Sequence, residues 1–472
     1  MRYRFLSDGP ATADFIPVTQ AATGGHLVRW TGTGTTPPFY YYAGTTGNDT
    51  IDGTALNTPN SGLSQNVTSI YADSGDDFIY APQDSTINVI GGAGYDIASY
   101  EKYTSGIILF IRAVGATDPV AGATAQGNID VEEVRGTGRS DFIIGDISDN
   151  TIREVEAGIS STNILVGGGG NDRIYGNSGN DIITAGGHGN TTVDGGGGTN
   201  TLNLANGFDR AGNASGAIID LFSASTGLAT YADGGTVNFT FTRRVNGTQL
   251  ADVFTGSSGS DLLNGGGGSD VFYATVGNDT IDGGSSQNEV NTLSFEKYNA
   301  PVVLNMSSFT DPTQGLLSFG SNSVAFTNIQ AFVGTQFNDT IIGGVGNDIF
   351  SGGGGSNDII DGGGGFNTLS FQNVQNGLAL NFSSTNSGTI AYGSGNSIRY
   401  SNIQEVWGTN FNDVINGSAG NDFFNGGRGN DTILSAGGND TVQGGGGDDT
   451  LDGGAGNDIL SFADFTTGIT LN

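Results

Sequence analysis

The sequence predicts an all-β protein built as a right-handed parallel β-solenoid, in which regular nine-residue turns alternate with longer, irregular coils. Three observations predict it: a nonapeptide repeat, a longer unit superimposed on it, and Gly and Asp placed at fixed spacing. Of 472 residues, 84 are Gly and 9 are Pro. That is about a fifth, below the roughly 25–30% at which aperiodic Gly/Pro content signals a disordered chain. Hydrophobic residues make up 35% of the chain, enough for a core.

The nonapeptide comes first. From Gly408 to Ser461 six consecutive units share one register: GTNFNDVIN, GSAGNDFFN, GGRGNDTIL, SAGGNDTVQ, GGGGDDTLD and GGAGNDILS. The sixth position is always Asp, and the eighth is always apolar, from Ile415 through Phe424, Ile433, Val442 and Leu451 to Leu460. A second run starts at Gly247, with Asp252, Asp261, Asp270 and Asp279 at its sixth positions. A third starts at Gly334 and carries Asp339, Asp348 and, after a one-residue slip, Asp358. Weaker copies carry Asp49, Asp77, Asp96, Asp141, Asp172 and Asp181. The pattern G-G-x-G-x-D is neither helix nor strand; it is a turn whose Gly positions accept φ > 0. The three residues that follow form a short strand with one inward side chain. One nonapeptide is half a flattened coil, and successive coils stack about 4.8 Å apart. The turn of one unit then lies over that of the unit two further on, with their Asp side chains facing one gap.

The longer unit recurs as YDIASYEKYTSGIILF, TNTLNLANGF, VNTLSFEKYNAPVVLN, FNTLSFQNVQNGLALN and NDILSFADFTTGITLN. Each complete copy runs through a polar stretch to a second strand, such as VAFTNIQAFVGT or IRYSNIQEVWGT, which feeds the next nonapeptide run. Irregular spacing of this kind marks a repeat array with loop insertions. The chain therefore divides into residues 1–43, an N-terminal cap or attachment segment; 44–246, an irregular solenoid; 247–365, the second run with a spacer coil and the third run; and 366–472, a spacer coil and the long run. The first segment has few Asp and an aromatic group, Phe39, Tyr40, Tyr41 and Tyr42. It suits a cover for the first coil, and clustered aromatics also suit an interface. The fifth copy stops after one strand at Asn472. The expectation is a truncated last coil that presents Leu460, Phe462 and Ile469 to a further coil or a second copy.

Charge excludes several functions. Lys and Arg number 15 against 47 Asp and Glu, for a net charge of −32 and a pI near 4.1. A phosphate backbone requires a basic face, so nucleic acid is not a partner, and anionic membrane surfaces are disfavoured. The longest apolar piece, Gly106 to Val114, is interrupted by Arg112, so no membrane insertion is expected. The N-terminus lacks the apolar stretch of a cleaved secretory signal. Without Cys, disulfides and thiolate metal sites are excluded.

The Asp columns point to a metal. Two carboxylates about 4.8 Å apart repel by roughly 1 kcal/mol in bulk water, and several-fold more near protein. A stack of them requires cations. The gap offers carboxylate oxygens and backbone carbonyls freed by the turns, a hard, roomy oxygen site that favours Ca2+ over Mg2+. Turn formation by Asp and Gly is the plain alternative, but it does not require Asp at every ninth residue.

These runs resemble the RTX (repeats-in-toxin) calcium-binding β-roll, with signature GGxGxDxUx, and the longer units resemble spacers of large secreted bacterial surface-layer and adhesin proteins. The resemblance implies multiple calcium ions. Each is held by carbonyls at positions two and four and the Asp of one turn, and by carbonyls at positions one and three and the Asp of the turn two units later. Carried over, Ser418, Gly420 and Asp422 share an ion with Ser435, Gly437 and Asp440. Gly427, Gly429 and Asp431 pair with Gly444, Gly446 and Asp449. Ala436, Gly438 and Asp440 pair with Gly453, Ala455 and Asp458. Thr409, Phe411 and Asp413 pair with Gly426, Arg428 and Asp431, although Phe411 replaces the fourth-position Gly. In the Gly247 run, Thr248 and Asp252 pair with Gly265, Gly267 and Asp270, and Ser257, Gly259 and Asp261 with Ala274, Val276 and Asp279. Asp339, Asp348, Asp358, Asp77 and Asp96 are further ligand candidates. Thr191 and Asn200 stand at sixth positions without a carboxylate, which weakens sites reaching Asp172 and Asp181.

Catalysis has few candidates. The two His, His26 and His188, form no HExxH motif, and Glu132–Glu133 lie in a strand-like IDVEEV. No nucleophile, base and orienter converge in the sequence, so no enzyme is expected. The resemblance implies an extracellular, calcium-dependent protein of the surface-layer, adhesin or matrix-fibre kind, exported by type I secretion. Its partners would be calcium, further copies of itself and cell-surface polysaccharide. The alternative is a calcium-folded export or stability module of a secreted hydrolase or toxin.

Overall fold

Each nonapeptide of the run from Gly408 yields one three-residue strand whose middle side chain is buried through Val442, half-buried at Leu451 and exposed at Leu460, and that local rule generates the architecture. In the run from Gly408, the strands Val414–Asn416, Phe423–Asn425, Thr432–Leu434, Thr441–Gln443, Thr450–Asp452 and Ile459–Ser461 follow one another at nine-residue intervals. The computed structural model describes residues 13–16, 26–30, 39–43, 47–52, 67–81, 88–101, 103, 107–110, 129–137, 141–145, 150–153, 162–186, 189–208, 214–284, 289–309, 314–384, 386–392 and 395–462. Among these residues the chain is all-β, without helix, and therefore without any helix long and apolar enough to cross a membrane. The chain divides into two compact units: residues 1–214 with 225–245, and residues 215–224 with 246–472.

Consecutive strands alternate between sheets. In the second unit, Phe423–Asn425 pairs in parallel with Thr441–Gln443, and that strand with Ile459–Ser461. Val414–Asn416 pairs with Thr432–Leu434, and that strand with Thr450–Asp452. Each strand thus neighbours the strand two units away, the topology of a β-roll. The first sheet continues back through Glu405–Trp407, Thr368–Ser370, Ile349–Ser351, Ala331–Val333, Thr292–Ser294, Val271–Tyr273 and Val253–Thr255 to Ala217–Ser223. Its inward residues include Phe254, Phe272, Leu293, Phe350, Leu369, Val406, Phe424 and Val442, all fully buried. Phe254 and Phe272 stack with ring centroids 4.8 Å apart. Each such aromatic or branched side chain contributes roughly 1.5–3 kcal/mol by leaving water.

The first unit repeats the scheme. One sheet runs in parallel from Thr50–Asp52 through Phe78–Tyr80, Ile97–Ser99, Glu133–Arg135, Thr151–Arg153 and Arg173–Tyr175 to Asn190–Asp194 and Thr236–Thr240. The other runs from Ile108–Phe110 through Phe142–Ile144, Ile164–Val166 and Ile182–Ala185 to Thr201–Leu204. Strands Ala13–Ile16, His26–Trp30 and Phe39–Ala43 form an antiparallel set, and the last pairs in parallel with Val67–Ser74. Most of the cap expected over residues 1–43, the turn residue His188 and the last ten residues, with Ile469, lie outside the described residues.

The spacer coils differ from their expected form. The stretch VAFTNIQAFVGT is two strands rather than one: Asn322–Thr327 and Ala331–Val333 lie in different sheets. Asn328 turns the corner between them in the left-handed region, at φ 56°. Asn402 does the same, at φ 56°, between Asn396–Ser401 and Glu405–Trp407. Asn accepts that conformation more readily than other side-chain-bearing residues do. Ahead of each corner the polar stretch folds back as an antiparallel partner: Gln314–Phe319 on Asn322–Thr327, and Ser387–Tyr392 on Asn396–Ser401.

Candidate metal centre

The sixth-position Asp sits at the junction of turn and strand, and the ladder fixes it on both sides. Its carbonyl accepts the first N–H of the strand one coil on: Thr432 donates to Asp413, Thr441 to Asp422, Thr450 to Asp431 and Ile459 to Asp440, at 2.7–2.8 Å. Its own N–H has no strand carbonyl opposite, and donates instead to the side chain of the next sixth-position residue. The Asp413 N–H reaches Asp431 Oδ1 at 2.8 Å, and the Asp431 N–H reaches Asp449 Oδ1 at 2.9 Å. In the facing column Asp422 donates to Asp440 at 2.8 Å and Asp440 to Asp458 at 3.0 Å. The same step joins Asp252 to Asp270, Asp261 to Asp279, Asp339 to Asp358 and Asp77 to Asp96, at 2.8–3.0 Å. Asp348 donates to Asn367 instead, at 3.1 Å.

The second carboxylate oxygen falls into two classes, set by the backbone at position two. Where that residue is Thr or Ser, Thr275 apart, its N–H and hydroxyl both donate to the Asp. Thr409 N–H lies 2.6 Å from Asp413 Oδ2 and its Oγ1 lies 3.0 Å from Oδ1. Thr248 with Asp252, Thr335 with Asp339, Ser257 with Asp261 and Ser418 with Asp422 repeat the arrangement. Where position two is left-handed, its N–H turns away; the Gly427 N–H, at φ 100°, donates to Asn425 Oδ1 at 3.0 Å. The Oδ2 atoms of Asp96, Asp181, Asp270, Asp358, Asp431 and Asp440 are then buried with no hydrogen-bond partner. Their second-position residues, Gly92, Asn177, Gly266, Gly353, Gly427 and Ala436, all have positive φ.

The open oxygens of Asp181, Asp270 and Asp431 face other acceptors. A Cβ placed on Gly426 would fall 2.4 Å from Asp431 Oδ2 and 2.6 Å from the Gly444 carbonyl oxygen, so the two lie on one side of the same glycine. Gly265 stands likewise between Asp270 Oδ2 and the Gly283 carbonyl. Burial away from water is the chief cause that pushes these carboxyls up, Asp270 to about 8, Asp431 to about 7, and Asp96, Asp181 and Asp358 to about 6. Such a group must find a proton or a cation. The donor set is oxygen throughout. No three His, Cys, Asp or Glu side chains converge among the described residues, so carbonyls must complete any metal shell. These residues fit a hard cation such as calcium.

The turns themselves stack as neighbours two units apart. The N–H groups of Arg428, Gly437, Gly446 and Ala455 donate to the carbonyls of Thr409, Ser418, Gly427 and Ala436, at 2.8–3.2 Å. Gly429 and Gly438 donate in turn to Gly446 and Ala455. Each of these carbonyls keeps a second lone pair for a cation. The Phe411 carbonyl, in the departing turn, lies 3.2 Å from Thr409 Oγ1, whose single proton goes to Asp413. Gly420 and Gly259 donate their N–H groups to Ser418 and Ser257 hydroxyls, and Thr275 Oγ1 donates to the Ser257 carbonyl. Gly267 donates to the Thr248 carbonyl at 3.1 Å. Ser435 and Ala274 are buried beside these turns, whereas Val276 is exposed.

Sequence reasoning missed a second ladder. The fifth-position Asn of one coil accepts from the fifth-position N–H two units on: Asn430 donates to Asn412, Asn439 to Asn421, Asp448 to Asn430 and Asn457 to Asn439, at 2.8–3.0 Å. It runs opposite in direction to the Asp ladder beside it. Its signal is the recurring Asn-Asp pair, read only for its Asp.

Comparison with known families agrees with the geometry. The family model for the RTX calcium-binding nonapeptide repeat matches residues 42–55, 158–191, 246–281, 255–290, 333–369, 407–442 and 435–464. The chain carries RTX calcium-binding repeats, in several copies along its length. Their β-rolls are structural rather than catalytic elements, and such repeats are characteristic of proteins secreted by the type I route. No curated protein matches the chain.

Proposed function

We propose that this protein is an extracellular calcium-folded scaffold of the surface-layer, adhesin or matrix-fibre kind. The observation that supports the calcium reading best is the set of buried, unpartnered Oδ2 atoms in left-handed turns, with Asp270, Asp431 and Asp440 the leading examples. Calcium, when bound, supplies positive charge and hard-oxygen coordination between successive turns. The chain does the rest. Asp413, Asp422, Asp431, Asp440, Asp449 and Asp458 hold the ions with the turn carbonyls named above, and the backbone N–H groups donating to Oδ1 keep each carboxylate aimed into its gap. Asp252, Asp261, Asp270, Asp279, Asp339, Asp348, Asp358, Asp77 and Asp96 take the same role in the other runs.

The net charge of −32 supports a switch tied to export. At low calcium the columns repel and oppose the compact state; at extracellular calcium they are neutralised, and copies of the chain approach one another. Light scattering across a calcium titration tests the scaffold role. Assembly at saturating calcium is expected. A strictly monomeric protein at saturating calcium would move the reading to a calcium-folded export module of a larger secreted protein.

A further inference from the structure

Five residues of the sixth-position column are Asn rather than Asp: Asn150 and Asn163 lie within the column of the first unit, with Asp172 and Asp181 following them, whereas a run ends at each of the other three, Asn200, Asn291 and Asn367. All three are buried. Their Oδ1 atoms do the work of the Asp Oδ1, accepting the N–H of Asp181 at 2.8 Å, Asp270 at 2.9 Å and Asp348 at 3.1 Å. That bond fixes the orientation of the amide and leaves Nδ2 where an Asp would place its second oxygen. The second-position glycines of two of these turns, Gly196 and Gly363, have φ 70° and 74°. Their N–H groups turn to Asp194 and Asp361, so the backbone offers the Asn side chain nothing at that point.

The carbonyls do. Asn200 Nδ2 donates to the carbonyls of Gly195 at 2.7 Å and Phe241 at 2.9 Å. Asn291 Nδ2 donates to Asn328 at 3.1 Å, and Asn367 Nδ2 to Gly364 at 3.2 Å and Asn402 at 3.1 Å. Phe241, Asn328 and Asn402 are the left-handed corner residues of the three spacer coils, at φ 52–56°. The comparison with an Asp turn is direct. Beside Gly426 a carboxylate oxygen and a carbonyl share one side of the glycine; beside Gly195, Gly283 and Gly362 an amide nitrogen and a carbonyl share it. Two acceptors require something positive between them. A donor and an acceptor do not.

The column then continues without charge. Asn291 and Asn367 donate their own N–H groups to Gln330 Oε1 at 2.9 Å and Gln404 Oε1 at 2.7 Å. The next runs open on turns whose Asp339 and Asp413 are already served by Thr335 and Thr409.

We infer that Asn200, Asn291 and Asn367 stand in for a cation: their side-chain amides close the carbonyl gap that calcium closes elsewhere, so that the spacer coils are laced without metal and set the ends of each calcium-binding run. The inference rests on the calcium reading above. It assigns to the Asn that ends a run, and not to Asn150 or Asn163 within one, the role of deciding where ion binding stops.

The test uses the full chain. Bound calcium is counted by equilibrium dialysis for the wild type, N291D and N367D, and hydrogen exchange is followed in calcium and in chelator. Each Asn→Asp variant is expected to bind about one ion more than the wild type. In wild-type protein in chelator, Thr292–Ser294 and Thr368–Ser370 should stay protected while residues 426–461 exchange freely. A wild type that binds no calcium would sink the calcium reading itself. A wild type that binds calcium, with variants that bind the same number, overturns the inference. If a variant does not fold even in calcium, the wild-type exchange pattern decides: equal loss of protection in spacer and run overturns the inference, and selective loss in the run upholds it.

Discussion

The backbone N–H of Asp422 donates to Oδ1 of Asp440, one coil further along, at 2.8 Å, and Asp440 repeats the bond to Asp458 at 3.0 Å. Asp440 thus lies between two carboxylates, whereas Asp458 is the last carboxylate of the column among the described residues. Asp440→Ala should cost about two ions and Asp458→Ala about one, as counted by isothermal titration of the full chain. Asp440→Ala also strips the Asp422 N–H of its acceptor, an additional cost of about 1–3 kcal/mol. Equal ion losses would put the pairing in the wrong register.

Adjacent glycines in one turn should respond oppositely to a methyl group. Gly445 has φ 92°, and a Cβ there would meet the Gly427 carbonyl oxygen at 1.9 Å; Gly446 has positive φ nowhere and open space around it. Gly445→Ala should destabilise the calcium-loaded protein by more than about 1 kcal/mol, with backbone strain adding to the clash. Gly446→Ala should stay within about 0.5 kcal/mol of wild type. Thermal melts in millimolar calcium make the comparison.

The packed column should be as sensitive as any core. Phe254 and Phe272 are fully buried and stack face to face. Phe272→Ala removes that stack and leaves a cavity between Phe254 and Leu293, its partners on the neighbouring strands, at a cost of about 3–5 kcal/mol. Denaturant unfolding of the calcium-loaded protein should show it; a loss below about 1 kcal/mol would mean the roll collapses onto the space.

Acid should partly replace calcium. Burial raises Asp270 to about 8, Asp279 and Asp431 to about 7, and Asp252, Asp348 and Asp358 to about 6, from an ordinary value of 3.8. A carboxyl whose folded pKa lies above its unfolded one binds more protons in the fold. Its stabilising contribution is complete below about pH 4 and is lost as pH rises through 6 to 8. Metal-free protein should therefore melt higher at pH 5 than at pH 8, and calcium binding should release protons. A metal-free melting temperature that rises with pH over this range would count against buried carboxyls as the calcium ligands.

Much of this was legible in the sequence, because a β-roll writes its register in single residues. Asp413 through Asp458 mark the junction of turn and strand, and Ile415, Phe424, Ile433 and Val442 mark the inward position; both sets lie where a nine-residue period puts them. What stayed hidden depends on backbone conformation rather than composition. Thr409 and Gly427 occupy the same second position, yet only the structure shows that one aims its N–H at the Asp and the other away from it. The corners at Asn328 and Asn402 were hidden for a similar reason, since the apolar pattern of NIQ continues smoothly across a change of sheet. Asn200 reads as a missing carboxylate until its amide partners are seen, and the matching roles of Asn291 and Asn367 show only in the structure.

The central claim, that calcium holds the Asp columns together, is tested most directly by far-ultraviolet circular dichroism at neutral pH in chelator, in millimolar Mg2+ and in millimolar Ca2+. Extracellular calcium modules bind at roughly 10⁻⁴–10⁻³ M, and Mg2+ demands a tighter octahedral shell than carbonyl-rich turns provide. The account predicts a strong β signal in Ca2+, and the same diminished signal in chelator and Mg2+. An identical β signal in all three would contradict it.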